Sequence, residues 1–241
     1  MQVVILCGGK GTRAYPLSIE VPKPMLPVNG QPILEHVMRI YANQGHTDFV
    51  LSVGYKKEVI VDYFKGRFPN WHIEFVDTGL ETNTGGRIAR CRKILEETFF
   101  ATYADGLGNV QLDRLLAFHH NHGGVGTVTG VPLPSQYGTM DFDEAGRVLR
   151  FREKPILRDY WINGGFFVFD RAAFDFWEGE NLETEVLPAL SRRGLLYVYR
   201  HEGFWKSMDT HKDQQELNRM HDQGLLEFLY TSPAATSLRA G

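Results

Sequence analysis

A short β-branched run, Gln2-Val3-Val4-Ile5-Leu6-Cys7, breaks without warning into Gly8-Gly9-Lys10-Gly11. An uninterrupted apolar run of this length reads as a strand buried on both faces, as in parallel sheets covered by helices. Three glycines in four positions then let the backbone approach a ligand closely and turn its N–H groups outward. The chain beyond fits that architecture. Residues 32–44 carry Ile33, Leu34, Val37, Met38, Ile40 and Tyr41 at helical spacing, closed by Gly45. Residues 48–53, 71–76 and 99–103 read as further buried strands, with helices over 58–64 and 88–95. Strands alternating with helices predict an α/β fold with a mixed, mainly parallel sheet flanked by helices.

After residue 123 the texture changes. Segments 125–131, 138–143, 148–152, 164–169 and 195–201 are strand-like and punctuated by Pro132, Pro134 and Pro155. They extend the first sheet, so a single domain over 1–230 is expected, ending in a helix from Asp209 to about Tyr230. Residues 231–241 are small and polar and read as a flexible tail. Phe174, Phe176 and Trp177 suit either an interface or the core. A net charge of −3 lacks the broad basic footprint of a nucleic-acid binder, and no apolar run reaches the roughly 18 residues a membrane helix needs. The N-terminus has no secretory pattern, and Cys7 and Cys91 make neither a disulfide framework nor a zinc set. A cytoplasmic protein with no nucleic-acid or membrane partner is expected.

The glycine loop continues into Thr12 and Arg13, whose fork of donors suits phosphate oxygens. Ligands of open α/β sheets bind at strand carboxyl ends, although a tight turn without a ligand would use the same glycines. No stretch has the order of a Walker A loop. Gly9-x-Gly11-x-x-Ala14 meets the relaxed dinucleotide pattern, but Pro16, Pro22 and Pro24 deny it a helix and the later acidic residue is missing. Lys23 lies between Pro22 and Pro24, which restrict its backbone. Asp105, just past a buried strand, could hold Mg²⁺ or cap the helix expected at Leu112. Asp209 stands where a helix N-cap is the plain alternative. His119, His120 and His122 cluster at a helix end without zinc-ligand partners, and Cys7 suits small buried packing better than nucleophilic work.

Gly8-Gly9-x-Gly11-Thr12-Arg13 followed by Lys23-Pro24-Met25 resembles the signature of the sugar-1-phosphate nucleotidyltransferases. The resemblance runs in order through Thr84-Gly85-Gly86-Arg87, Tyr103-Ala104-Asp105-Gly106, Tyr137-Gly138, Glu153-Lys154-Pro155, Ile162-Asn163-Gly164-Gly165-Phe166-Phe167 and Gly203-Phe204-Trp205-Lys206-Ser207-Met208-Asp209-Thr210, covering the chain to about Asp213. Three of these strings are most similar to the glucose-1-phosphate cytidylyltransferases. The resemblance implies a Rossmann-like, GT-A-like sheet with a nucleotide-binding half (1–123) and a sugar-binding half (124–230). It implies Mg²⁺-dependent nucleotidyl transfer from an NTP to a sugar 1-phosphate in a homo-oligomer. CTP and glucose 1-phosphate come first, with dTTP, UTP or GTP and another sugar or cyclitol phosphate behind.

Carried over in the same way, Arg13 and Lys23 are catalytic. Cys7, Gly8, Gly9, Gly11, Thr12, Thr84, Gly85, Gly86 and Ala104 lie against the nucleotide, with Thr84-Gly85-Gly86 as a turn by the base. Tyr137, Gly138, Glu153, Lys154, Asn163 and Gly164 bind the sugar phosphate, and Asp105 and Asp209 hold the metal. The chain departs from the cytidylyl pattern at Ala104, where glycine is usual, in the stretch from Thr12 to Ser18, and in a short segment between Trp71 and Thr84. A silent sugar-nucleotide-binding module is the alternative of another class. The joint presence of Arg13, Lys23, Asp105 and Asp209 argues against it.

Overall fold

The computed structural model describes residues 1–12 and 20–231. Along the chain come β1 (Gln2–Leu6), the hairpin β2 (Pro27–Val28) and β3 (Gln31–Pro32), α1 (Ile33–Ala42), β4 (Asp48–Val53), α2 (Lys57–Phe64), β5 (His72–Asp77), α3 (Thr84–Cys91), β6 (Thr98–Tyr103), β7 (Gly106–Gly108) and α4 (Leu112–His120). They are followed by β8 (Gly126–Pro134), β9 (Thr139–Phe142), β10 (Val148–Arg152), β11 (Ile156–Asp170), α5 (Leu187–Arg192), β12 (Leu196–Arg200), β13 (Trp205–Ser207) and α6 (His211–Asp222). Seven strands form one sheet in the order β12-β8-β11-β6-β1-β4-β5. Six are parallel, and β11 runs against both its neighbours. This is the mixed, mainly parallel single-domain sheet that the sequence predicts.

Strand alternation builds two cores from one sheet. Val3, Ile5, Phe49 and Leu51 face the side covered by α1, α2, α4 and α6, where Leu34, Val37, Phe64, Leu115 and Leu217 are buried. Val4, Val50, Phe99 and Ala101 face the other side, against Ile88 and Cys91 of α3 and Leu190 of α5. Because successive side chains on a strand point oppositely, strands apolar at every position need helices on both faces. Phe174 belongs to the second core, with Phe176 and Trp177 packed against it. Among the described residues, no helix is long and apolar enough to cross a membrane.

Three elements differ from the sequence reading. Helix α3 begins at Thr84, four residues before the apolar stripe, so Thr84-Gly85-Gly86 is its first turn and not a loop. Two glycines disguise a helix start; tertiary contact supplies what propensity lacks, as the Gly86 amide donates to the Glu180 carbonyl at 2.8 Å. Strand β11 is 15 residues long and begins well before the expected segment 164–169, because Asn163-Gly164-Gly165 is absorbed as a register shift between Asn163 and Phe167. Helix α6 stops at Asp222, just before Gly224 at φ +75°, and a short 3-10 turn over Glu227–Leu229 follows.

Five imidazoles sit in or beside the cores. Burial holds His36, His46, His119, His122 and His201 below their ordinary value of 6.5. His36 donates through Nε2 to the Val28 carbonyl at 2.8 Å, and His119 and His122 both bond the Thr127 hydroxyl. Groups with depressed folded values stabilise the fold above the unfolded value and lose that contribution as pH falls through the folded ones. The melting temperature is therefore expected to drop between pH 7 and pH 5.5, before carboxylates titrate. A flat thermal-melt profile over that range would contradict these burials.

Candidate active site

The carboxyl ends of β1 and β6 open into a cleft of about 550 Å³. At its centre is Lys23. Pro22 enters a 3-10 turn over Lys23–Met25 in extended conformation, and the side chain of Lys23 is buried to 10% exposure. Its Nζ donates to Asp105 Oδ2 at 2.5 Å and to Asp209 Oδ1 at 3.0 Å. Burial works to discharge this ammonium, but the two carboxylates outweigh it and raise its pKa. Lys23 is a cation throughout the physiological range.

A small piece of antiparallel pairing brings two aspartates 104 residues apart to one lysine. Strand β13 runs against β7 with Ser207 opposite Gly106, and the Met208 amide donates to the Asp105 carbonyl at 2.9 Å. Asp105 and Asp209 flank that pair. Asp209 is not the helix cap. Thr210 caps α6, in a capping box with Asp213. Asp213 also accepts the Asp209 amide at 3.1 Å, and Ser207 Oγ donates to Asp209 Oδ2 at 3.1 Å. The cap of α4 is Gln111, so Asp105 too is released from capping. Gly11, at φ +61°, lies where a Cβ would come within 2.6 Å of the Lys23 Cβ. The lysine reaches the centre only past a glycine in the left-handed region.

The glycine loop is clamped from below by Arg87, a residue of α3 that is 3% exposed. Its Nη2 donates to the Gly8 carbonyl at 2.9 Å, and its Nη1 donates to Thr78 Oγ1 at 2.7 Å and the Gly79 carbonyl at 3.0 Å. A Cβ on Gly8 would stand 2.1 Å from that guanidinium. Gly8 is thus required by Arg87, whereas Gly9 has open space where a Cβ would be and lines the cleft with Gly11. Cys7 forms part of the floor; it is 1% exposed, donates to the Ser52 carbonyl, and burial pushes its thiol up. That is packing, with no nucleophile.

On the far side, α3, β6, β11 and β13 come together with the segment Leu182–Val186. Thr84 Oγ1 donates to Glu183 Oε2 at 2.7 Å, and the Tyr103 hydroxyl donates to the other oxygen of the same carboxylate. Asn163 Nδ2 donates to the Tyr103 oxygen at 3.1 Å, and Asn163 Oδ1 accepts the Gly165 amide at 2.8 Å. Trp205 Nε1 donates to the Gly164 carbonyl at 2.7 Å. Burial and Glu183 hold the Tyr103 hydroxyl protonated. Thr84, Ala104 and Asn163 line the cleft. Gly85 and Gly86 instead pack beneath the segment 180–186, where a Cβ on Gly85 would meet Val186 at 2.9 Å.

The remaining expected residues fall elsewhere. Tyr137, Gly138, Glu153 and Lys154 gather at the root of the β9–β10 ribbon, outside the residues lining the cleft. Tyr137 is 77% exposed, and Lys154 has φ +47° with its ammonium 4.0 Å from Glu153 Oε1. Thr12 is exposed; Arg13 lies outside the described residues. Sequence reasoning gave no role to Arg87, Tyr103 or Glu183. Arg87 and Tyr103 stood inside motif strings, but Glu183 is one of several acids between 178 and 185 and nothing local marks it. Among the described residues, no group of three or more His, Cys, Asp or Glu could hold a metal. Two carboxylates facing a cleft nevertheless suit Mg²⁺, which takes one or two and fills its shell from phosphates and water.

The Nucleotidyl transferase family model matches residues 2–223. Over 93% of its length the chain is 40% identical to a probable glucose-1-phosphate cytidylyltransferase of Bacillus subtilis, and 35% identical to the glucose-1-phosphate cytidylyltransferase of Salmonella typhi, covering 97% of each. It is 33% identical to mannose-1-phosphate guanyltransferase 2 of Candida glabrata, covering 93% of this chain and 68% of that one. The Bacillus alignment spans 249 positions against 241 residues here, so that relative carries segments this chain lacks. Among solved structures, HddC from Yersinia pseudotuberculosis superposes with a TM-score of 0.72 at 24% identity, over 91% of this chain and 99% of that one. A putative glucose-1-phosphate thymidylyltransferase from Bacillus anthracis gives 0.70 at 19%, over 91% and 94%; both share the fold.

Arg87→Ala strands the Gly8 and Gly79 carbonyls in a buried site, at an expected cost of about 3 kcal/mol. Arg87→Lys should restore little, since a point charge cannot span both segments. Urea denaturation measures both. A lysine variant as stable as the wild type would contradict the clamp.

Proposed function

Because the chain belongs to the nucleotidyl transferase family, we propose that it transfers the nucleotidyl group of a nucleoside triphosphate to a sugar 1-phosphate, releasing pyrophosphate. The observation that carries this reading is the Lys23 ammonium held between Asp105 and Asp209 at the mouth of the sheet. CTP and glucose 1-phosphate are the substrates proposed first, supported by the names of the Bacillus and Salmonella relatives. The guanyltransferase relative supports the same chemistry with another base and sugar.

A sugar 1-phosphate is already largely a dianion near neutral pH, its second pKa being about 6, so attack needs no general base. The difficulty is the approach of two polyanions, and the residues present answer it with fixed charge and position. Asp105 and Asp209 would hold Mg²⁺, whose chemistry there is to neutralise phosphate oxygens and align the displacement. Lys23, kept cationic by the same carboxylates, donates to the α-phosphoryl oxygens as charge grows on them. Arg13 is assigned to the leaving pyrophosphate. The open face at Gly9, beside Gly11, receives the triphosphate over a loop that Arg87 keeps from shifting.

Asn163, with one amide N–H committed to Tyr103 and its oxygen to Gly165, has a second N–H for a sugar hydroxyl. Glu153 and Lys154 are assigned to the sugar and its phosphate, with Tyr137, Gly138 and Gly164 alongside. Thr84 and Ala104 border the space assigned to the nucleotide. The short stretch between Trp71 and Thr84 bears on the choice of base.

Pyrophosphate release with Mg²⁺ and glucose 1-phosphate, measured separately against CTP, dTTP, UTP, GTP and ATP, is expected to be strong for one nucleotide. Lys23→Ala should stay folded and lose at least about 10²-fold in turnover. Silence of the wild type with every nucleotide, repeated across other sugar 1-phosphates, would contradict the reaction. A folded and fully active Lys23→Ala variant would remove the lysine from it.

A further inference from the structure

Glu183 puts a carboxylate into the lining of a cleft assigned to two polyanions. Both of its partners are hydroxyls, Thr84 on one oxygen and Tyr103 on the other, and among the described residues no cation forms an ion pair with it. An acid in that place repels phosphate, so its use lies in what its oxygens hold. Its backbone is fixed by the turn that carries it. The Asn181 side chain accepts the amides of Glu183 and Thr184 at 3.0 and 2.9 Å, and Leu182 and Val186 of the same turn are buried.

The hydrogen bonds leading away from Glu183 run in one direction. An ionised carboxylate only accepts, so the Tyr103 proton is committed to Glu183 and the Tyr103 oxygen is left as an acceptor. Burial, with Glu183 beside it, keeps that proton in place. Asn163 accordingly turns its NH2 to Tyr103 at 3.1 Å, while its oxygen takes the Gly165 amide at 2.8 Å. An amide held at its oxygen alone swings about that bond. Held at both ends, it keeps one plane, and its second N–H keeps one direction. The Tyr103 ring is itself fixed: it stands edge-on to Phe167 with centroids 5.7 Å apart, and a Cβ on Gly165 would come within 2.6 Å of it.

We propose that Glu183 is a positioning residue for the sugar 1-phosphate: through the Tyr103 hydroxyl it fixes the plane of the Asn163 amide and so aims the remaining N–H at a sugar hydroxyl. The proposal rests on the sugar 1-phosphate reading of the cleft. Glu183 acts here through its acceptor oxygen, with its charge incidental. The nucleotide side has an anchor of its own, since the Leu182 amide donates to Thr84 Oγ1 at 3.0 Å.

Steady-state kinetics and substrate-free NMR spectra of asparagine-labelled protein test this together. Glu183→Ala should raise the KM for the sugar 1-phosphate about tenfold, the worth of one hydrogen bond, and leave the KM for the nucleotide within about twofold. Tyr103→Phe, which keeps the ring, should raise the same KM to a like extent, and adding Glu183→Ala to it should cost nothing more. Glu183→Gln keeps an oxygen for Tyr103 and should recover most of the loss. In the spectra, the Asn163 side-chain amide pair is identified by its absence in Asn163→Ala. It should shift in Glu183→Ala and Tyr103→Phe and stay near its wild-type position in Glu183→Gln. Equal rises in both KM values would make Glu183 a general prop of the cleft. A glutamine as damaging as alanine would put the effect in its charge, and additive losses with Tyr103→Phe would route it elsewhere; each of the three overturns the proposal. An unmoved Asn163 amide in Glu183→Ala would overturn the relay whether or not the protein turns over. A shifted amide in a protein silent with every sugar 1-phosphate would overturn the substrate reading instead.

Discussion

A single ammonium organises this molecule's cleft. Lys23 lies against two carboxylates in a pocket where any of the three charges alone would be costly to bury. Each is supplied by a different part of the fold: the proline-flanked 3-10 turn, the loop after β6, and the segment after β13. The pairing of β13 with β7 fixes the two aspartates relative to each other, and Gly11 lets the lysine through. The capping box at Thr210 and Asp213 completes the arrangement by satisfying the start of α6 without drawing on Asp209. The charges that the proposed chemistry needs are thus held in place before substrate arrives, which is the form of catalysis that costs least reorganisation at the moment of reaction.

The glycines around the cleft do two different jobs. Gly8 and Gly54 each stand where a Cβ would meet the Arg87 guanidinium, at 2.1 and 2.9 Å, and Gly85 is pressed by Val186. These residues permit close internal packing, so their effect on a ligand is indirect: they hold the loop and α3 in one position. Gly9, with open space before it, is where a ligand could approach. Across the cleft, Glu183 binds both Thr84 and Tyr103, tying the start of α3 to the end of β6. The two halves of the chain therefore meet at a hydrogen-bonded network of fixed polarity as well as along β11.

Much of the fold was legible because buried parallel strands are continuous apolar runs. Asp48–Val53 is read from the sequence to the residue in this way, and Val148–Arg152, an exposed antiparallel strand, is read to the residue from its alternation of apolar and basic side chains. What escaped was structure held by distant contacts. The first turn of α3 has two glycines and depends on the 180–186 segment, and β11 passes through Asn163-Gly164-Gly165 because β6 and β8 pair on either side. The convergence of Asp105 and Asp209 follows from no local pattern. A resemblance to a known family could put the two residues in one role, but only the β7–β13 register shows why they are adjacent. Glu183 was invisible for the same reason: its partners are 80 and 99 residues away.

Asp105 and Asp209, bound to Lys23 in this structure, are proposed to take up Mg²⁺ with the nucleotide. Calorimetric titration of the preferred nucleoside triphosphate, with and without Mg²⁺, into the wild type and into Asp105→Asn with Asp209→Asn tests it most directly. Mg²⁺ is expected to tighten binding to the wild type by at least about tenfold, or about 1.4 kcal/mol, and to have little effect on the folded double variant. Equal tightening in both proteins would place the metal elsewhere and remove the two aspartates from its binding.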